Sequence, residues 1–272
     1  MSTVRRVEIN SDVYWMCKDH ALSTEREEIM GLLLGDKNED NVIEISAIKM
    51  LKRSDKRKDR VEISTDQLVA AAVEAEDLSK ELGRVVRVVG WYHSHPHITV
   101  LPSAVDIRTQ AAYQGMEASF VGLIFSVFPG QGRENKTQQL KIICFQSRGD
   151  PPTERVEVKL EIVPKHGVQE IFAKSVLGLP NILFGEETEH YKKHCTSESL
   201  SLLSKHQNES VFTSSIYHMM SVIEAPTIET IVERNQILQH QINYMKDREK
   251  CLRQDNKGVL KNLKAKMSST KD

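Results

Sequence analysis

The chain has 272 residues, enough for one catalytic domain of ordinary size plus an extension. Hydrophobic residues make up 39%, charged residues 28%, and the net charge is −1, so the bulk composition makes no electrostatic case for direct nucleic-acid or membrane binding. No run approaches the roughly 18 apolar residues of a membrane span, and the first ten residues lack a signal-peptide core.

Residues 11–21 read as a helix capped by Ser11 or Asp12, with Val13, Met16, Cys17 and His20 on one face. Glu28 opens the apolar run Ile29-Met30-Gly31-Leu32-Leu33-Leu34-Gly35, which predicts a buried strand. Residues 36–41 read as a turn, and residues 42–50 partly alternate and predict the hairpin partner. A charged loop (52–60) and a short strand (61–63) follow. Residues 65–82 predict an amphipathic helix with Leu68, Val69, Ala72, Val73, Ala75 and Leu82 on its apolar side, a pattern that Glu76 weakens.

The β-branched run Val85-Val86-Arg87-Val88-Val89 leads into Gly90-Trp91-Tyr92-His93-Ser94-His95-Pro96 and predicts a buried strand. Side chains two apart on a strand share a face, so His93 and His95 point one way and Ser94 the other. Pro96 cannot donate to the ladder and marks the strand's end. Ser103 then caps a helix over 103–114, which places Asp106 one turn in. Two neutral imidazoles and one carboxylate are the donor set of a zinc site that keeps its fourth position for water. Taken alone, paired histidines at a strand end also serve as sheet caps or backbone hydrogen-bonders. The added Ser103 and Asp106 favour the metal. His97 reads as a loop histidine outside the ligand set.

Residues 120–128 are almost wholly apolar and predict a central strand; 129–132 read as a turn, 139–146 and 155–163 as further strands, and 147–153 as a loop. The expected class is α+β, with a mixed central sheet flanked by helices. After Pro164 the pattern turns helical, over 168–177, 186–205 and 211–223. From Ile228 a heptad holds over about five repeats. One seam carries Ile231, Leu238, Met245, Leu252 and Val259; the other carries Ile228, Asn235, Ile242, Glu249, Asn256 and Leu263. This predicts a coiled coil with polar breaks; the alternative is one amphipathic helix packed on its own domain. The expected division is a catalytic domain over 1–165, a helical region over 166–224 and a coiled-coil partner-binding helix over 225–267. The four cysteines, Cys17, Cys144, Cys195 and Cys251, are far apart and read as reduced thiols.

The segment His93-Ser94-His95-Pro96, Ser103 and Asp106 resembles the JAMM (MPN-plus) zinc metalloproteases, whose pattern is an upstream Glu and then H-[ST]-H-P-x6-S-x2-D. The flanks, residues 53–64 and 90–100, are similar to the lysine-63-linkage-specific deubiquitinase subunits of the breast-cancer-associated nuclear complex and of BRISC. JAMM enzymes of the proteasome lid and the signalosome carry a Gly-x-x-Cys-Trp-Leu-type loop after the second His. Here Ile98-Thr99-Val100-Leu101-Pro102 stands instead, and Leu101 replaces the Trp of the closer relatives. The turn 36–41 also looks shorter than theirs.

The resemblance implies an MPN domain and one Zn²⁺ ion held by His93, His95 and Asp106. It implies Glu28 as the catalytic base, with Glu25 and Glu27 as nearby competitors, and Ser103 as a donor to the oxyanion. Ser103's position equally permits a helix cap and nothing more. The implied substrate is lysine-63-linked polyubiquitin. The implied partner is an Abraxas-type MPN-minus pseudo-protease, bound through the C-terminal helices in a larger hetero-oligomeric assembly of the nucleus and cytoplasm, acting in the DNA-damage response and in cytoplasmic signalling. The rival readings are a JAMM isopeptidase for another ubiquitin-like modifier and a non-catalytic MPN scaffold. The retained Glu, His, His, Asp set argues against the scaffold. The basic loop 52–60 reads as solvated, because Asp55 and Asp59 interrupt it.

Overall fold

The computed structural model describes residues 4–53, 63, 65–128, 140–149, 151–164, 169–197, 199–221 and 225–268. Most of the charged loop 52–60, most of the short strand 61–63 and the turn 129–132 lie outside them. Among the described residues, seven strands close into a barrel in the order β1 (Arg6–Asn10), β3 (Val42–Met50), β2 (Met30–Lys37), β4 (Arg87–Pro96), β5 (Val121–Val127), β6 (Lys141–Arg148), β7 (Glu154–Val163). The closing strand, β1 (Arg6–Asn10), is one that the polar N-terminal stretch does not predict. It pairs in parallel with both β3 (Val42–Met50) and β7 (Glu154–Val163), and buries Val7 and Ile9. The helix α1 (Ser11–Leu22) follows directly. Its cap residue is Asn10 without a side-chain bond, and Asp12 is buried in the first turn, so neither predicted cap serves.

The hairpin forms as expected from β2 (Met30–Lys37) and β3, except that β2 starts after Glu28 and runs through Asp36 and Lys37. Their register shifts between Leu34 and Gly35. A Cβ on Gly35 would stand 2.0 Å from the Glu44 carbonyl oxygen, so only glycine fits this bulge. The helix α2 (Thr65–Leu82) turns inward only part of the side read from sequence: Leu68, Ala75 and Leu82 face the core as expected, and Val69, Ala72 and Val73 do not. Ala71, Ala75 and Leu78 are buried with Leu68 and Leu82 beside them, while Val69 and Val73 are exposed. Two stripes at helical spacing run along this helix, and only the one at 68, 71, 75, 78 and 82 meets the sheet.

The motif strand β4 (Arg87–Pro96) lies between β2, antiparallel, and β5 (Val121–Val127), parallel. The crossover between the parallel pair is α3 (Ala104–Met116), so β4–α3–β5 forms a local βαβ unit inside a mixed sheet. β5 is buried along its whole length, and β6 (Lys141–Arg148) follows it antiparallel. Trp91, Ile124 and Phe145 anchor one core cluster, and burying each is worth ~1.5–3 kcal/mol.

The helix α4 (Gln169–Cys195) is continuous through Pro180, where the sequence predicts a gap. Proline removes a helix hydrogen bond, but Ile171, Val176, Leu179 and Leu183 form a buried stripe that spans it. Packing against α1 and β3 therefore outweighs the local break, and this region rests on the barrel. The next helix, α5 (Leu202–Met219), is capped by Ser201 and stacks Phe212 on Tyr191 of α4. The predicted helix 186–205 thus spans the real break between α4 and α5. By contacts the chain divides into Met1–Ile223 and Glu224–Asp272. The second unit is α6 (Ala225–Ser268), a 44-residue helix with Ile228, Ile242, Met245, Leu252 and Val259 exposed. Among the described residues no helix is long and apolar enough to cross a membrane.

Candidate metal centre

The site forms where β4 ends beside the start of α3. Pairing of His93 with Met30 and Ile124, and of His95 with Ser126, fixes both backbones inside the sheet. The alternation of the strand turns both imidazoles to one face. Ser103 caps α3 by accepting from the Asp106 amide at 3.2 Å, and Asp106 Oδ2 accepts from the Ser103 amide at 2.6 Å. This capping box aims the Asp106 carboxylate at the histidines. His93 Nε2 and His95 Nε2 lie 3.1 Å apart, and the Asp106 oxygens lie 3.4 Å from the first and 3.6 Å from the second. Two zinc–ligand bonds at a tetrahedral angle separate their donor atoms by about 3.3 Å. The three side chains therefore already stand at the spacing such an ion requires.

A supporting contact fixes which His95 nitrogen faces the centre. His95 Nδ1 lies 2.7 Å from the Thr99 carbonyl, which leaves Nε2 for a metal. The His93 ring stacks on Trp91 at 4.5 Å, and Trp91 Nε1 donates to Gln110 of α3 at 2.7 Å. The loop after His95 is pinned by Ser126 Oγ on the Ile98 carbonyl at 2.7 Å and by the His97 amide on the Val127 carbonyl at 2.9 Å. His97 itself, at φ 62°, faces Glu25 at 3.6 Å. Leu101 is exposed on the same loop.

Burial pushes the His93 imidazole below its usual value, against the pull of Asp106. For His95 burial also acts downward and most strongly. The Asp106 carboxylate, the Thr99 carbonyl and the charge of Glu28 outweigh it, so His95 lies above its usual value. Burial acts to raise the Asp106 carboxyl, yet its contacts with His93, His95 and Ser103 hold it well below the usual range. An ionised carboxylate between two imidazoles is a cation-binding donor set.

Glu28 stands in the two residues before β2, near enough for its charge to act on His95. Its neighbour Glu27 turns elsewhere, and its Oε2 accepts from Arg53 Nη1 at 2.5 Å. Arg53 is in turn held by Glu186 of α4. No sequence signal points to this contact, because Glu186 lies 133 residues further along. The Thr99 carbonyl was equally illegible, since a backbone oxygen carries no residue signature. Among the described residues His93, His95 and Asp106 are the one His/Cys/Asp/Glu group close enough to share an ion, with ligand atoms within 4.8 Å of one another.

Residues 2–119 match the family described as JAB1/Mov34/MPN/PAD-1 ubiquitin protease, and residues 172–252 match the BRCC36 C-terminal helical domain. The chain is 43% identical over 259 residues to the Lys-63-specific deubiquitinase BRCC36 of Xenopus tropicalis, covering 94% of this chain and 99% of that one. It is 47% identical over 233 residues to the protein of the same name from Camponotus floridanus, covering 86% and 89%. With the mouse protein of that name it shares 41% identity over 261 residues, covering 86% and 89%. Likeness at this level runs through both the barrel and the helices, and the chain belongs to the JAB1/Mov34/MPN/PAD-1 family of ubiquitin proteases, in the branch that carries the BRCC36 C-terminal helical domain.

Proposed function

We propose that this protein is a zinc-dependent isopeptidase that hydrolyses lysine-63-linked polyubiquitin. The observation that carries the reading is the convergence of His93 Nε2, His95 Nε2 and the Asp106 carboxylate at tetrahedral-ligand spacing beside the charge of Glu28. Linkage preference comes from the relatives, which are named for it over nearly their whole length.

His93, His95 and Asp106 would hold the zinc ion, and the capping box keeps Asp106 aimed at it. Bound there, the ion would supply Lewis-acid chemistry that activates water for attack and polarises the scissile carbonyl. Glu28 accepts the proton of the attacking water and passes it to the departing lysine amine. The Ser103 hydroxyl donates to the oxygen that gains charge as the carbonyl becomes tetrahedral. The exposed apolar seam of α6 receives a partner helix, of the Abraxas-type MPN-minus class, in a larger assembly that works in the nucleus and cytoplasm, in the DNA-damage response and in cytoplasmic signalling.

The test is cleavage of lysine-63-linked di-ubiquitin by the purified chain, alone and co-expressed with an MPN-minus partner, with a zinc chelator as control. Chelator-sensitive cleavage that requires the partner is the expected result. No cleavage by an intact, zinc-loaded complex would move the reading to another ubiquitin-like modifier or to a scaffold.

A further inference from the structure

Arg53 is a heavily engaged charged group that the proposed chemistry leaves unused. It is the third residue after β3, and its side chain is only 13% exposed. Its backbone amide donates to Glu186 Oε1 at 2.7 Å, and its Nε and Nη2 donate to Glu186 Oε2 at 3.0 and 2.6 Å. Both oxygens of that buried α4 carboxylate are thus committed to Arg53. One turn further along α4, Glu189 pairs with Lys52. The Lys52 carbonyl also accepts from Gln67 of α2 at 2.9 Å. The remaining donor of Arg53, Nη1, reaches Glu27.

One carboxylate suffices to neutralise one guanidinium. Glu27 is thus a second carboxylate on a guanidinium that Glu186 already offsets, and its bond also ties down the segment ahead of β2. On the other side of Glu28, the Ile29 amide donates to Ser94 Oγ at 2.9 Å and the Ile29 carbonyl accepts from the Ser94 amide at 3.0 Å. Glu28 is thus flanked by two anchored residues, one fixed to the motif strand and the other, through Arg53, to the helical region.

We propose that Arg53 is a positioning residue for Glu28, transmitting the placement of α4 from Glu186 through Glu27 to the base. This rests on the reading of Glu28 as the base. Misplacing a reacting group by about 1 Å costs on the order of 100-fold in rate, so a loosened Glu27 is expected to matter without touching the metal.

The test uses the full chain, zinc-loaded and co-expressed with its MPN-minus partner, and lysine-63-linked di-ubiquitin as the probe. Glu27→Ala is the primary variant, because it removes the acceptor of Arg53 Nη1 while Arg53 keeps Glu186 and no buried carboxylate is stranded. The expected result is a kcat lowered roughly tenfold or more, with KM and zinc content unchanged. Arg53→Lys retains the charge but loses the fork, and is expected to match it. The double variant is expected to fall no further, because the two residues act as one unit. Amide exchange of the peptide 27–30 is expected to quicken in Glu27→Ala. An unchanged kcat in folded, zinc-loaded Glu27→Ala overturns the proposal, as does a loss that merely follows Tm or zinc content. If the wild-type complex leaves the probe intact, the isopeptidase reading fails, and unchanged amide exchange in Glu27→Ala then overturns the positioning role separately.

Discussion

Ser94 and Ile29 are joined by two hydrogen bonds, from the Ile29 amide to Ser94 Oγ at 2.9 Å and from the Ser94 amide to the Ile29 carbonyl at 3.0 Å. The residue between the two motif histidines therefore holds the residue that follows Glu28. A side chain facing away from the metal centre thus ties the segment that carries the proposed base to the strand that carries two of the candidate ligands. For this reason Glu28→Gln is expected to keep the fold and one equivalent of zinc while kcat falls by about 10²–10⁴. Metal analysis beside turnover checks it, and loss of zinc from the variant would make Glu28 a ligand or a structural group instead.

Ser103 has one role visible in the geometry, the cap of α3, and one proposed role, the donor to the oxyanion. Two substitutions separate them. Ser103→Ala removes both and should cost about 1 kcal/mol of stability. Ser103→Gly removes the hydroxyl but keeps the cap within a few tenths of a kcal/mol. If the hydroxyl acts on the oxyanion, both variants lose about 10²–10³ in kcat. A Ser103→Gly enzyme with wild-type kcat would leave Ser103 as a cap alone.

His20 is buried neutral, with Nδ1 2.8 Å from the Tyr92 hydroxyl. Burial, and then the charge of Arg53, lower its pKa from 6.5 to about 3. Between those values the unfolded chain binds the proton and the folded chain does not, so stability is level above pH 6.5 and declines as pH falls below it. At pH 4.5 this one group removes about 2–3 kcal/mol. Thermal melts at pH 7.5 and 4.5, both with chelator present, should show a smaller acid loss for His20→Asn than for the wild type. Equal losses would assign the acid sensitivity elsewhere.

On α6, Met245 and Leu252 are exposed apolar residues of the predicted seam. Met245→Glu with Leu252→Glu should abolish co-purification with the MPN-minus partner while leaving the melting of the barrel unit unchanged. Retained co-purification would place the partner's contact elsewhere.

The sequence alone determined the parts that depend on short-range pattern. Strand alternation put His93 and His95 on one face, the Ser103 cap placed Asp106 one turn into α3, and apolar runs located β2, β4 and β5. Long-range pairing decided the rest. The barrel closes only because a five-residue strand with two buried apolar side chains, β1, finds edges on both β3 and β7, which its own polar composition does not announce. Which of two apolar stripes of α2 turns inward depends on where the sheet lies, since helical periodicity fits both. Pro180 stays helical because tertiary burial exceeds the local cost of the missing hydrogen bond. The bridge from Glu186 through Arg53 to Glu27 exists only in the folded chain: an ion pair between residues 133 apart leaves no trace in local composition, and its strength comes from a burial that no segment has alone.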